Sequence, residues 1–164
     1  MAKKIALIGG GGHCKSCIDV IESLPQFKIV GIIDKTKNTD ESLLGYPILG
    51  SDSDLLKITE KFEIDSFVIT LGQIKTAEIR KNIYKLLKEL GLSVSTIISP
   101  TAIVSKYAQI DEGTVVLHNA IIMASAKIGK NCIINNRALI EHDAVIGDFC
   151  HISTGSIVNG TSEL

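Results

Sequence analysis

Residues 98–164 fall into successive sixes: ISPTAI VSKYAQ IDEGTV VLHNAI IMASAK IGKNCI INNRAL IEHDAV IGDFCH ISTGSI VNGTSE L. Each six opens on a branched aliphatic residue, from Ile98, Val104 and Ile110 through to Ile152, Val158 and Leu164. The fifth place is always small: Ala102, Ala108, Thr114, Ala120 and Ala126, then Cys132, Ala138, Ala144, Cys150, Ser156 and Ser162. Such a hexad is one flat side of a triangular coil, with the aliphatic side chain pointing inward and the small residue fitting a tight corner. Three hexads close a coil, so residues 18 apart stack at the ~4.8 Å spacing of paired strands. The segment is therefore a left-handed parallel β-helix of between three and four coils. A β-sandwich would alternate with period two and break at irregular turns.

Before residue 98 the pattern differs. Short β-rich runs (Lys4 to Ile8, Ile29 to Asp34, Ser66 to Leu71, Val94 to Ile98) alternate with helical stretches (Ser16 to Ser23, Leu55 to Lys61, Glu78 to Leu90). In the last of these Ile79, Ile83, Leu86, Leu87 and Leu90 share one stripe, and Gly91 supplies the stop. Alternating strands and helices imply a parallel sheet of about four strands with right-handed crossovers, a small Rossmann-like unit. The expected architecture is α/β: residues 1–97 a Rossmann-like domain, residues 98–164 the β-helix.

The chain has 164 residues, 21% of them charged, and a formal net charge of -1, so nothing biases it toward nucleic acid or an acidic membrane surface. No apolar run is long enough for a membrane span or a secretory signal, and the cytoplasm is the expected compartment. Cys14, Cys17, Cys132 and Cys150 are too few and too unevenly placed for a disulfide framework, and free thiols are expected. Cys14-Lys-Ser-Cys17 has the spacing of a redox pair or half a zinc site, but no second pair accompanies it, so no metal is expected. Cys132 and Cys150, one coil apart in the small slot, should stack as buried core residues.

Gly9 to Gly12, after a strand and before a helix, can let a phosphate approach backbone N–H groups and the helix dipole. Asp34 lies about the ~20 residues further on expected of a ribose ligand. A dinucleotide is one reading of this pattern, but Cys14 and Lys15 stand where its third glycine would fall. A purely structural strand-to-helix turn is another.

Ile8-Gly9-Gly10-Gly11-Gly12-His13, together with Ile140-Glu141-His142-Asp143 and Val145-Ile146-Gly147-Asp148-Phe149, resembles the bacterial sugar acyltransferases. These are typified by the sialic acid O-acetyltransferases and the UDP-amino-sugar N-acetyltransferases of bacillosamine synthesis. The resemblance runs over essentially the whole chain. It implies a homotrimer that moves an acetyl group from acetyl-CoA to an amine or hydroxyl of a nucleotide-linked or free surface sugar. The UDP-4-amino-sugar type is expected first, with sialic acid O-acetylation as the alternative. His142, two places after the inward anchor Ile140, projects outward and would be the general base. Asp143 takes the place of an acidic residue, usually Glu, that orients it. By the same resemblance Asn135, His151 and Gly160 fall on acetyl-CoA positions, the last with its backbone N–H on the acetyl carbonyl. His118 occupies the same hexad slot without a matching motif and reads as a surface residue. In the first domain the resemblance puts Gly12 and His13 near the phosphates or sugar of a UDP-sugar, and Asp34, Lys35 and Gly72 around the nucleoside. Gly72-Gln73 departs from the usual Gly-Asn. The sequence stops at Leu164 on an anchor, so weak acetyl-CoA binding, or a shortened trimeric binding module, is a further expectation.

Overall fold

A computed structural model describes residues 2–73 and 76–164. It divides into two compact units, Met1–Ser95 and Thr96–Leu164.

In the first unit β1 (Lys3–Ile8), α1 (Gly12–Glu22), β2 (Phe27–Ile33), β3 (Ser42–Leu43), β4 (Tyr46–Gly50), α2 (Leu55–Phe62), β5 (Ser66–Ile69) and α3 (Glu78–Glu89) follow in order. The strands form a sheet of order β3-β4-β2-β1-β5. β4, β2, β1 and β5 are parallel, whereas β3 runs antiparallel to β4. The Ser42–Gly50 hairpin has no counterpart among the expected elements. Its turn residues Leu44 and Gly45 both have positive φ, +50° and +86°, and a leucine there carries no turn signal. The run Val94 to Ile98 is not one strand: Val94 makes a single bridge to Phe67, while Ile97–Ile98 pairs with Val115–Val116 in the second unit. α1 also starts four residues before the expected Ser16, taking His13 into its first turn. On α3, Ile83 and Leu87 are buried as the stripe requires, but Ile79 is exposed and Arg80 is buried instead. The reason lies at the end of β5: Arg80 Nη1 donates to the carbonyls of Ile69 at 2.9 Å and Leu71 at 2.7 Å. A buried guanidinium is tolerated where such acceptors meet it.

The second unit is the left-handed β-helix. Two-residue strands stack 18 residues apart into three faces. The first face holds β6 (Ile97–Ile98), β9 (Val115–Val116), β12 (Ile133–Ile134) and β15 (His151–Ile152). The second holds β7 (Ile103–Val104), β10 (Ile121–Ile122), β13 (Leu139–Ile140) and β16 (Ile157–Val158), and the third β8 (Gln109–Ile110), β11 (Lys127–Ile128) and β14 (Val145–Ile146). The anchors from Val116 to Val158 and the small residues from Ala120 to Ala144 form the core. Thr114, the polar occupant of a buried corner, donates its hydroxyl to the Gly129 carbonyl at 2.7 Å and accepts the Cys132 N–H at 3.0 Å. Cys150 is only partly buried, contrary to expectation, and its thiol lies 3.9 Å from the Leu164 carbonyl.

Every turn from residue 113 onward places its fourth hexad residue in the left-handed region. Gly113, Asn119, Ser125 and Asn131 suit it; Arg137, Phe149 and Thr161, at φ 60°, 59° and 60°, do not. The coil enforces it. The N–H of each donates to a carbonyl one coil earlier: Arg137 to His118, Phe149 to Lys130 and Thr161 to His142. A backbone bond worth ~1 kcal/mol net offsets a left-handed cost of similar size.

Coil spacing leaves no room at one glycine. A Cβ on Gly129 would lie 2.5 Å from Asp148 Oδ1, 2.7 Å from its backbone N and 2.8 Å from the Gly147 carbonyl carbon. Backbone cannot give way as a flexible side chain does. Gly129→Ala is expected to cost about 3 kcal/mol and lower Tm by several degrees in a thermal melt; an unchanged Tm would mean the coils separate more readily than this stacking implies.

Candidate functional site

The first unit contains a cavity of about 230 Å³. From β1 the chain moves outward through β2 to β4, then returns to β1's other side as β5, so the strand order reverses between β1 and β5. Such a switch point opens a crevice at the carboxyl ends of the strands. Gly9 and Gly11 from the loop after β1, Asp34, Lys35 and Thr36 after β2, and Leu71 after β5 line it, with Ile79 and Ile83 of α3 as apolar wall. Asp34 and Lys35, two of the residues singled out in the sequence, both line the cavity. Gly12, His13 and Gly72 sit beside the cavity and do not line it. Because α1 begins at Gly12, His13 turns along the helix toward residue i+4, and its Nε2 lies 3.5 Å from Cys17 Sγ. A Cβ on Gly72 would meet His13 Cβ at 3.6 Å. Gly9 and Gly11 belong to the glycine run already read as an approach for a phosphate, whereas Thr36, Leu71 and Ile79 gave no signal, because only the topology brings the ends of three strands together.

Asp34 is partly committed to the fold. Oδ2 accepts the Gly10 N–H at 2.7 Å, and Oδ1 accepts both the N–H of Thr36 at 2.8 Å and its hydroxyl at 2.7 Å. Burial would raise its pKa, but these donors and the Lys37 charge outweigh burial and hold the carboxyl below its ordinary value. One lone pair of Oδ2 remains for a ligand hydroxyl.

The two cysteines of the CxxC spacing are buried in α1. Desolvation pushes Cys14 up to about 11 and Cys17 higher still, so both stay protonated thiols. Among the described residues no group of three or more His, Cys, Asp or Glu side chains is placed to hold a metal ion.

In the β-helix the expected site residues form two clusters. His142, Asp143 and Gly160 occupy the corner between the second and third faces. His142 Nδ1 lies 2.8 Å from Asp143 Oδ2, and both side chains are exposed, 63% and 55%. Asp143 has φ +60°, and this turn sets two adjacent side chains together where a strand would send them to opposite faces. The shorter carboxylate therefore reaches the ring. Gly160, one coil on, lies under the imidazole: a Cβ there would be 3.0 Å from both Cε1 and Nε2.

Asn135 lies at the preceding corner, between the first and second faces, and His151 reaches it from the outer row of the first face, in β15. Asn135 Nδ2 lies 3.2 Å from His151 Nε2, and Asn135 Oδ1 accepts the Asn136 N–H at 2.8 Å. One coil below, His118, expected as a surface residue, is drawn into contacts. It is partly buried, its Nδ1 lies 2.8 Å from Ser99 Oγ and 3.1 Å from Thr101 Oγ1, and its N–H donates to Asn136 Oδ1 at 3.0 Å. The 18-residue stacking rule applied to Asn136 would have found this link. One strand of the second face separates the two clusters.

The outer row of that second face is Ile103, Ile121, Leu139 and Ile157, four aliphatic residues in register. Ile103 and Ile157 are 63% and 66% exposed. Among the described residues no helix is long and apolar enough to cross a membrane.

Comparison with known proteins accounts for both units. The family "PglD N-terminal domain" matches residues 4–87, just over half of the chain, and "Bacterial transferase hexapeptide (six repeats)" matches residues 125–160. No curated protein matches. A histidine-to-asparagine variant of perosamine N-acetyltransferase from Caulobacter crescentus, in complex with CoA and GDP-perosamine, is 26% identical with a TM-score of 0.90, over 99% of this chain and 74% of that one. The acetyltransferase domain of PglB from Neisseria gonorrhoeae, in complex with acetyl coenzyme A, is 28% identical with a TM-score of 0.87, over 100% of this chain and 77% of that one. WeeI from Acinetobacter baumannii, at 18% identity and a TM-score of 0.54, shares the fold. With a PglD-type unit followed by transferase hexapeptides, the chain belongs to the bacterial sugar acyltransferases.

Proposed function

We propose that the protein transfers the acetyl group of acetyl-CoA to the amine of a nucleotide-linked sugar, with His142 as general base. The observation that carries the base assignment is the contact of His142 Nδ1 with Asp143 Oδ2 at 2.8 Å. A carboxylate only accepts, so the proton is on Nδ1 and Nε2 is the nitrogen with a lone pair to offer. Nε2 takes a proton from the sugar amine as its nitrogen attacks the thioester carbonyl. The C–N bond forms, the negative charge on the carbonyl oxygen falls to a backbone N–H such as that of Gly160, and the C–S bond then breaks. The proton passes to the departing CoA sulfur. Asp143 orients the ring throughout.

Acetyl-CoA would use Asn135 and His151, at the other corner of the second face. No single chain brings the two corners together, but a ring of three copies does. When three second faces surround a threefold axis, the His142 corner of each copy meets the Asn135 corner of the next, and the apolar row from Ile103 to Ile157 is covered. A homotrimer with three shared sites follows.

The cavity beside Asp34 and Lys35 would take the nucleotide. The backbone N–H groups at the start of α1, which has no capping side chain, suit its phosphates. The Caulobacter neighbour is in complex with GDP-perosamine, so guanosine and uridine sugars are both tested. Calorimetry should give saturable binding of a GDP- or UDP-linked amino sugar and none of NAD; the reverse pattern would reinstate the dinucleotide reading. The activity itself is read by thiol release from acetyl-CoA, with UDP- and GDP-linked amino sugars and free sialic acid as acceptors. Release with an amino sugar is the expected result. Release with sialic acid alone would replace N- by O-acetylation, and no release with any acceptor would favour a binding module.

A further inference from the structure

We propose that the cavity of the first unit selects a guanine nucleotide, through the carboxylate of Asp52, which stands where the base would lie. This deepens the nucleotide-sugar reading above and rests on it for the presence of a nucleotide.

Three strand ends meet the cavity in the order in which a nucleotide is built. β1 gives Gly9 and Gly11, its neighbour β2 gives Asp34, Lys35 and Thr36, and β4, next beyond β2, gives Asp52. Paired strands lie ~4.8 Å apart, so two spacings, ~10 Å, separate the glycine loop from Asp52. That is the reach of a nucleotide from its diphosphate across the ribose to the far edge of its base. Main-chain bonds hold the three ends in step: the Gly9 N–H donates to the Ile33 carbonyl at 2.8 Å, and the Asp34 N–H to the Gly50 carbonyl at 3.0 Å. With phosphates at the glycine loop and a ribose hydroxyl on the remaining lone pair of Asp34 Oδ2, the base falls to Asp52. Ile79, on the wall of the same cavity, is 55% exposed, an aliphatic side chain in water that the flat face of a base would cover.

Nothing in the fold uses the Asp52 carboxylate. Among the described residues it makes no hydrogen bond or ion pair, although its neighbours are tied together. Ser51 Oγ lies 2.6 Å from Ser53 Oγ, Ser53 donates to Asp54 Oδ2 at 3.1 Å, and Lys57 pairs with Asp54 Oδ1 at 3.7 Å. Asp52 is half-buried, and a ligand with the right donors would replace the water it has lost.

The donors it fits are specific. A carboxylate presents two acceptors side by side and no donor. Guanine carries two adjacent donors on one edge, N1–H and the 2-amino group, so both oxygens of Asp52 are met at once. Uracil carries one, N3–H, between two carbonyl oxygens, and the second carboxylate oxygen would face an acceptor. Adenine and cytosine set one amino donor beside a bare ring nitrogen, with the same conflict. Lys35, also lining the cavity, is a donor of the kind that guanine O6 accepts from.

Calorimetry with GDP, UDP and XDP, in which a carbonyl replaces the guanine amino group, reads the base without any acetyl transfer. The wild type should bind GDP about 10- to 100-fold more tightly than UDP or XDP, the usual discrimination of one bidentate pair against the wrong base. Asp52→Asn keeps the shape but offers one acceptor and one donor. GDP should then weaken about tenfold, while UDP and XDP, whose edges set a donor beside an acceptor, hold or improve. Asp52→Ala should bring the three ligands level. Neither substitution removes a bond within the fold, so Tm should be unchanged in both. UDP binding as tightly as GDP in the wild type overturns the inference, as does a GDP preference that survives both substitutions. Binding without base preference would overturn this inference alone, whereas failure of all three diphosphates to bind would overturn the nucleotide reading of the cavity with it.

Discussion

Replacing His142 by alanine should lower turnover by about 10²- to 10⁴-fold, the usual worth of a positioned general base. The side chain is 63% exposed and contributes nothing to the β-helix core, so folding and assembly should be unaffected. KM for acetyl-CoA should change little, because the ring is assigned to the acceptor's proton and not to the cofactor. Asp143→Ala should cost less, since it removes the orienting carboxylate but leaves a base in place. Its left-handed φ of +60° complicates the reading, and Asp143→Asn, which suits that conformation and can still accept from Nδ1–H, is the better control. Full activity in the His142 variant would remove the assignment.

Two inactive chains should regain activity when mixed. His142→Ala damages the corner between the second and third faces, and His151→Ala the corner between the first and second. If each site joins one corner from each of two copies, random co-assembly of equal amounts leaves both corners intact at about one interface in four, and about a quarter of wild-type activity should return. Light scattering should give about three times 17.6 kDa for each parent and for the mixture. Zero recovery from trimers would place the whole site within one chain, and a monomer by light scattering would remove the shared-site model altogether. Few outcomes are as discriminating, because no single-chain arrangement can produce activity from this mixture.

The β-helix was legible because its rule is local and repeated. An inward anchor and a small corner recur in every six residues, and a slip by one residue would turn every Ile and Val outward, so the register has a single solution. The first unit was legible as a class but not in detail. The hairpin of β3 and β4 turns on Leu44, a residue without turn preference, and α3 buries Arg80 where the stripe predicted Ile79. In both, tertiary bonding outweighs propensities worth less than ~1 kcal/mol per residue. The same holds at Arg137, Phe149 and Thr161, driven left-handed by bonds to the coil beneath.

From the sequence alone follow the two-part architecture, the three faces of the coil, and the outward projection of His142, because each depends on spacing along the chain and on which side chains avoid water. The tertiary structure decided the rest. It put Asp34 and Lys35 with Gly9, Gly11 and Leu71 around one cavity, where three strand ends converge. It also linked His118 through Asn136 to Asn135 and His151, and set that cluster one face away from His142. Directional hydrogen bonds and close approaches of ~3 Å depend on the placement of whole strands and turns in three dimensions, and no periodicity in the sequence carries that information.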